Sequence, residues 1–454
     1  IILNQNRVQP FVYNMQLPKV LIIGQPFNNN SGGGITQANL FAGWDKDKVA
    51  VVCTDHMFNN LNPGICDTYY VLGSEEYKWS FPFNLLQRKV SSGVRKVNEN
   101  TGTHAAASAK AKLRTKIIDQ YFYPFLEYIG LFHRMSSISL SGKLCAWLDA
   151  YNPDLVYAQA STRESVLFCS LVHDYLKKPM LYHVMDDWPS TISQKGPFKK
   201  YWHKKIDREL RGLLNRATIL LSISHAMARE YKKRYGKDFT TFHNPIEIDF
   251  WKSHQRNKYE LGANPTILYA GRIGTGIQTS LESLAEAVDK VNEALKTSVQ
   301  FVLQTKDKPA WIGKYKCVRH KTMVAYKELP RVFAEADFLY LPYDFSAESI
   351  RFIKYSMPTK APEYMISGTP VIVFGPGETA LVEDAVQNKW AMTVTENNTH
   401  LLAEAVATLV NDINLRKQIA ATAISIAETN YNSEKVRNQF REMIASMISK
   451  ENEQ

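Results

Sequence analysis

A few polar side chains stand where apolar runs end, and their types suit a phosphorylated ligand. Arg272 follows the run PTILYA, just ahead of a glycine-rich turn. A guanidinium fixed there can hold a diphosphate through two parallel hydrogen bonds. Glu363 lies in PTKAPEYMISGTPVIVF, where Pro362 suits the first turn of a short helix and Gly368 its stop. The N-terminus of such a helix offers amides to phosphate, and a carboxylate beside it can accept two hydroxyls, as from a ribose. A carboxylate that only favours the helix dipole is the plainer alternative. His183, in LYHVMDDWP, is either a core histidine or a group at the ligand. The adjacent Asp186 and Asp187 suit a metal or a cap, but neighbouring carboxylates diverge and no spaced third ligand follows. Gly32, Gly33 and Gly34 follow the run KVLIIG. They read as a backbone that can approach an anion or sugar hydroxyl closely, or simply as a mobile loop. The stretch is neither G-x-G-x-x-G nor a P-loop.

These groups need strand ends to hold them. Two series of short apolar runs supply them: 19–24, 49–53, 154–159, 180–184 and 217–222, then 265–270, 299–303, 337–342 and 369–374. Continuous apolar strands alternating with helices indicate parallel sheets covered on both faces. Leu281, Leu284, Ala285, Val288 and Val291 fall on one helix face, and Leu401, Leu402, Ala405, Val406 and Leu409 on another. Val436, Phe440, Met443, Ile444 and Met447 mark a last helix from about Ser433. The predicted organisation is α/β, with doubly wound domains at 1–245 and 262–425, an unpatterned linker at 246–261 and a C-terminal helical segment at 426–454.

The chain has 454 residues, enough for two or three domains, and its net charge of +11 attracts phosphates of some kind. No apolar run reaches the roughly 18–20 residues of a membrane-spanning helix. Cys53, Cys66, Cys145, Cys169 and Cys317 are scattered without metal-site spacing and read as reduced thiols. No metal site is expected. No nucleic-acid module is recognisable, so nucleic acid is not expected as a partner. Residues 85–135 read as a basic helical insertion carrying Arg88, Lys89, Arg95, Lys96, Lys110, Lys112, Arg114 and Lys116 ahead of YFYPFLEYIGLF. It is either an ordinary solvated insertion or a basic, aromatic surface for an anionic membrane.

Together, KAPEYMISGTPVIVFGPGE, YAGRIG, YKELPRVFAEADFLYLP, FHNPIEIDFW, ISHAMARE and SGGG resemble the GT-B glycosyltransferases, specifically the retaining, nucleotide-sugar-dependent family 4. The resemblance implies two Rossmann-like domains facing across a cleft, with the last helix crossing back to the first. It implies that Glu363 binds the nucleotide ribose and Arg272 the diphosphate, aided by amides around Ser367, Gly368 and Thr369. Gly33 and Gly34 would close over the donor, and His183 would lie beside its sugar. Two features depart from the family. Position 355 is Tyr where a second acid is usual, leaving Ser356, Thr359 and Lys360 as donor contacts. No lysine follows GRIG, so Lys306 or Lys360 must supply the second cation.

The activity implied is retaining transfer of a hexosyl group from a UDP- or GDP-sugar to a hydroxyl, without cofactor or metal. A glycan or lipid-linked acceptor is implied, in polysaccharide or glycolipid synthesis for the cell envelope. The expected location is cytoplasmic, with peripheral contact at the inner face of the membrane as an option. The rival readings are a nucleotide-sugar epimerase on the same fold and a non-catalytic protein that binds sugar nucleotides or glycans.

Overall fold

The computed structural model describes residues 17–29, 31–85, 87, 89–97 and 118–452. Of the basic positions singled out between 85 and 135, Arg88, Lys110, Lys112, Arg114 and Lys116 lie outside the described residues. The described part is not one helical insertion. It includes an edge strand, Gly93–Lys96, and the helix Tyr123–Tyr128, and it is flanked by a short antiparallel ribbon of Tyr77–Trp79 on Ser136–Ile138.

The first domain is built on eight strands in the order Thr240–Thr241, Ile219–Ser222, Met180–Val184, Leu155–Ala158, Val20–Ile23, Val49–Thr54, Thr68–Leu72 and Gly93–Lys96. All pairs are parallel except the last. The second carries six parallel strands in the order Val318–Lys321, Gln300–Gln304, Thr266–Ala270, Phe338–Pro342, Val371–Phe374 and Met392–Val394. The central strands are fully buried runs such as VLII and VIVF, as helices on both sheet faces require. Both sheets are therefore doubly wound, and each places its strand C-termini toward the other domain.

Residues 246–261 are not an unpatterned linker. Ile248–Lys252 is a helical turn, and Trp251 is buried with its ring stacked on Phe333 at 5.4 Å. Arg256 then pairs with Asp337 at 2.7 Å and donates to the Ala334 and Ala336 carbonyls. The connection is thus fastened to the second domain by packing and ion pairing. At the far end, the helix Ile413–Asn430 packs on Lys360–Ile366, so residue 426 lies inside a second-domain helix. The crossing comes at Tyr431 and Asn432, after which Ser433–Asn452 returns to the first domain. There Phe440 is buried edge-on against Phe41, Tyr157 and Phe242, while Arg437 and Arg441 donate to the Asn39 and Ala42 carbonyls.

Candidate active site

A cavity of about 590 Å³ lies between the two sets of strand ends. From the first domain it is lined by Gln25, Ser31, Gly33, Gln159, His183 and Asp186, among others; from the second, by Arg272, Tyr343 and the loop Ser356–Thr359. Open parallel sheets create such a crevice because the strands end together and the connecting loops diverge.

The second-domain wall is built where Thr266–Ala270 meets the N-terminus of the helix Lys360–Ile366. Arg272 is exposed just past the strand, and its backbone carbonyl accepts from the Tyr269 hydroxyl at 2.6 Å. The Lys360 ammonium lies 4.5 Å from the Tyr269 ring centre and donates to the Ala270 carbonyl at 2.9 Å. A methyl group on Gly271 would stand 2.2 Å from that nitrogen, so the glycine makes room for it. Burial holds Lys360 down to about 8, with Arg272 repelling its charge and Glu363 attracting it. Glu363 is pushed up to about 7 by burial, partly offset by a 3.2 Å hydrogen bond from the Tyr326 hydroxyl and by Lys360. Two cations and one desolvated carboxylate thus gather at a helix N-terminus, an arrangement with unused capacity for an anion.

Three residues assigned to the diphosphate fall elsewhere. Ser367, Gly368 and Thr369 are buried at the C-terminal end of this helix, the pole that repels anions. The Ser367 hydroxyl donates to the Tyr364 carbonyl and that of Thr369 to the Phe333 carbonyl. Gly368, at φ +74°, stops the helix as its sequence position indicates. The amides nearest the cleft belong instead to the opposite end, at Thr359 and Lys360. Lys306 is exposed beyond the strand Gln300–Gln304, whereas Lys360 is packed on the Ala270 carbonyl close enough to feel the Arg272 charge; neither lysine lines the cavity itself.

On the first domain, Ser31 caps the helix Gly32–Leu40, its hydroxyl accepting from the Gly34 amide at 3.1 Å. Gly34 is therefore not a free donor. A methyl group there would come within 2.3 Å of the Asn28 amide nitrogen, and Asn28 itself accepts from the Ser31 amide at 2.8 Å. Gly34→Ala is expected to displace Asn28, loosen the cap and destabilise the first domain by about 1–3 kcal/mol, readable as a lower thermal midpoint. Gly33 lines the cleft.

His183 belongs to the cleft wall, yet its ring is buried and Nδ1 lies 2.7 Å from the Tyr157 hydroxyl. Burial pushes it down to about 3, so it is neutral at physiological pH. Asp187 neither caps the turn that follows it nor stands free for a metal. It takes both Arg234 nitrogens at 2.8 and 2.9 Å and a hydrogen bond from the Tyr231 hydroxyl. Asp186 is open to cleft water although protein encloses it, and that enclosure raises its pKa. Its Oδ1 accepts from the Ser356 hydroxyl at 2.9 Å, across the cleft. Among the described residues, no group of three or more His, Cys, Asp or Glu side chains is arranged to hold a metal.

Two functional positions lack any local signal. Tyr326, stacked on Phe250 at 5.6 Å, occupies Glu363 through tertiary contact alone. Tyr355, where an acid was expected, packs against the first-domain core beneath Arg234, and its carbonyl accepts from the Ser224 hydroxyl at 2.6 Å. Together with Asn244 donating to the Thr359 carbonyl at 3.1 Å, it seats the loop Ser356–Thr359 on the first domain.

Solved structures with this architecture cover nearly the whole chain. Anabaena HepE, crystallised with UDP and glucose, has a TM-score of 0.55 at 15% identity, over 94% of this chain and 100% of that one. The fold is that of a GT-B glycosyltransferase. Sucrose-phosphate synthase from Thermosynechococcus elongatus is similar at TM-score 0.60 and 13% identity, covering 95% of this chain and 99% of that one. WaaG, a glycosyltransferase involved in lipopolysaccharide biosynthesis, follows at TM-score 0.54 and 13% identity, covering 92% and 98%. Within the GT-B frame, residues 264–412, the domain holding Arg272, Lys360 and Glu363, match the family model described as Glycosyl transferases group 1. A sequence search of curated proteins finds no match. The GT-B halves meet at the cavity described above, so Arg272 and the Asp186–Ser356 contact lie along their junction, with Lys360 behind Arg272 on the Ala270 carbonyl.

Proposed function

We propose that this protein transfers a sugar from a nucleoside-diphosphate donor to a hydroxyl acceptor, with retention, in the manner of family 4 glycosyltransferases. The observation that carries the reading is the gathering of Lys360 and Glu363 at one helix N-terminus directly behind Arg272, which lines the cleft. The diphosphate lies against Arg272, the Lys360 ammonium and the amides at Thr359 and Lys360. Glu363 takes the ribose hydroxyls, displacing the Tyr326 hydroxyl. As the glycosidic C–O bond breaks, charge builds on the departing phosphate, where fixed cations and a helix N-terminus lower the barrier. The acceptor hydroxyl attacks the same sugar face and passes its proton to the leaving phosphate. No bound metal or cofactor enters this scheme. His183, neutral and held by Tyr157, supports the wall against which the sugar rests. Neighbours with this fold were crystallised with UDP, UDP-glucose and glucose, which favours a UDP-hexose among donors. The acceptor we favour is a cell-envelope glycan or lipid-linked sugar, reached from the cytoplasmic side by peripheral contact with the membrane.

The test is a thermal-shift screen over nucleotides and nucleotide sugars, followed by turnover with and without acceptor glycans. Stabilisation by one nucleoside diphosphate and its sugar is expected; at 100 times Kd it amounts to about 2.7 kcal/mol. Sugar transfer dependent on acceptor supports the reading. Conversion of the donor to an epimer without acceptor would replace it with the epimerase alternative, and binding without any turnover would leave a sugar-nucleotide-binding protein.

A further inference from the structure

The transfer scheme leaves one carboxylate of the cleft unused. Asp186 follows the strand Met180–Val184 and, among the described residues that line the cavity, is the only Asp or Glu. Its neighbour Asp187 is committed to Arg234, whereas Asp186 enters no ion pair among the described residues. Its Oδ1 accepts from the Ser356 hydroxyl at 2.9 Å, and its Oδ2 has no partner among them. The group is open to the cavity yet enclosed by protein, and that enclosure, with Asp187 beside it, disfavours the charged form. A neutral side chain could accept the Ser356 hydroxyl at lower cost, so the charge does not serve the fold.

The contact with Ser356 fixes where this carboxylate can act. Thr359, at the N-terminus of the helix Lys360–Ile366, lies three residues beyond Ser356, a reach of at most about 11 Å. A sugar joined to a diphosphate at that N-terminus therefore extends within reach of Asp186. Apolar surface stands beside the carboxylate. Met185 and Trp188 from the first domain and Tyr343 and Phe352 from the second line the same cavity, and Phe352 is 45% exposed. The Ser190 hydroxyl, donating to the Arg351 carbonyl at 3.4 Å, holds the helix that carries Phe352 against the first domain. A carboxylate would repel a further phosphate, but it accepts hydroxyls, and rings beside it can cover C–H faces. Those are the two kinds of surface that a sugar presents.

We infer that Asp186 is the residue that selects the transferred sugar: Oδ2 accepts hydroxyls of that sugar, while Ser356 from the facing domain holds Oδ1 and positions the carboxylate. The inference rests on the donor reading above, but on its sugar half alone, since a bare nucleoside diphosphate would not touch Asp186. The experiment measures binding of UDP and UDP-glucose, with GDP and GDP-mannose alongside, to the full-length wild type, Asp186→Asn and Ser356→Ala. Asp186→Asn changes a side chain open to the cavity, and melting curves without ligand check that both variants fold. Affinity of Asp186→Asn for the nucleoside diphosphate should match wild type, while affinity for its sugar conjugate should fall at least roughly tenfold. Ser356→Ala should show a smaller loss confined to the conjugate in the same way. Analogues of the bound nucleotide sugar, each lacking one sugar hydroxyl, locate the contact. One of them should bind wild type more weakly than the parent, yet bind wild type and Asp186→Asn alike. Unchanged affinity of Asp186→Asn for the nucleotide sugar, an equal loss with the bare diphosphate, or the same loss with every deoxy analogue would overturn the inference and leave the donor site standing. A wild type that binds none of the four probes would overturn the donor reading itself, and this inference with it.

Discussion

Arg272→Ala is expected to cut donor turnover roughly 100- to 1,000-fold, the usual cost of losing one fixed donor to transition-state charge. The side chain is exposed on the cleft, so its removal leaves no buried gap and the thermal midpoint should stay near wild type. Most of the loss should fall in kcat, because negative charge on the leaving diphosphate is greatest as the sugar departs. Arg272→Lys should recover only part of the activity, since an ammonium cannot make the paired contacts of a guanidinium. Lys360 cannot compensate, because in this reading it already meets the diphosphate, and the Ala270 carbonyl holds it behind the position Arg272 would vacate. Unchanged turnover in Arg272→Ala would remove the diphosphate from this wall of the cleft.

Glu363→Gln should weaken nucleotide-sugar binding by about 10- to 100-fold, since hydrogen bonds to a charged group contribute about 1.5–3 kcal/mol. The more diagnostic result is its pH dependence. Burial raises the Glu363 pKa to about 7, so the carboxylate proposed to accept both ribose hydroxyls forms only as pH rises through neutrality. Lys360, lowered to about 8, loses its charge on the alkaline side. Wild-type affinity should therefore peak between the two values and fall about tenfold for each unit of acidification well below 7. A nucleotide sugar is the right probe, because its diphosphate diester does not titrate in this range. In Glu363→Gln the acid limb should disappear while the alkaline limb remains; a retained acid limb would assign that titration to another group. The same shifts act on the free protein. The stability that Glu363 supplies is complete below its ordinary range, near 4.5, and is lost as pH rises through 7. That of Lys360 is complete above 10.5 and is lost as pH falls through 8. The unliganded site is therefore least comfortable in the neutral range where a diphosphate would bind, which is the signature of a pocket shaped for a charged ligand rather than for stability.

The chain by itself determined the two sheets and the position of the short helix that carries Glu363. Buried parallel strands must be continuous apolar runs, as in VLII and VIVF, and proline and glycine mark helix ends through backbone restrictions that act locally. Strands such as Gly93–Lys96, Val318–Lys321 and Met392–Val394 were not legible, because edge strands are short and partly polar, and their pairing partners alone make them strands. The helix Ile248–Lys252 was missed for a similar reason: one turn carries no period, and the stack of Trp251 on Phe333 holds it in place. Residue types also pointed to Arg272 and Glu363, since strand ends and helix N-termini are where a parallel sheet places ligands, whereas Lys360 entered only through the family resemblance, beside Lys306. Which pole of the helix faces the cleft was a tertiary matter, and it removed Ser367, Gly368 and Thr369 from the site. Tertiary structure likewise paired Asp187 with Arg234, joined Asp186 to Ser356, and turned Tyr355 into a contact between domains. Those contacts link residues up to 170 positions apart. Local propensity carries no information about such partners, because side-chain hydrogen bonds and buried charge are settled only when separate elements are packed together.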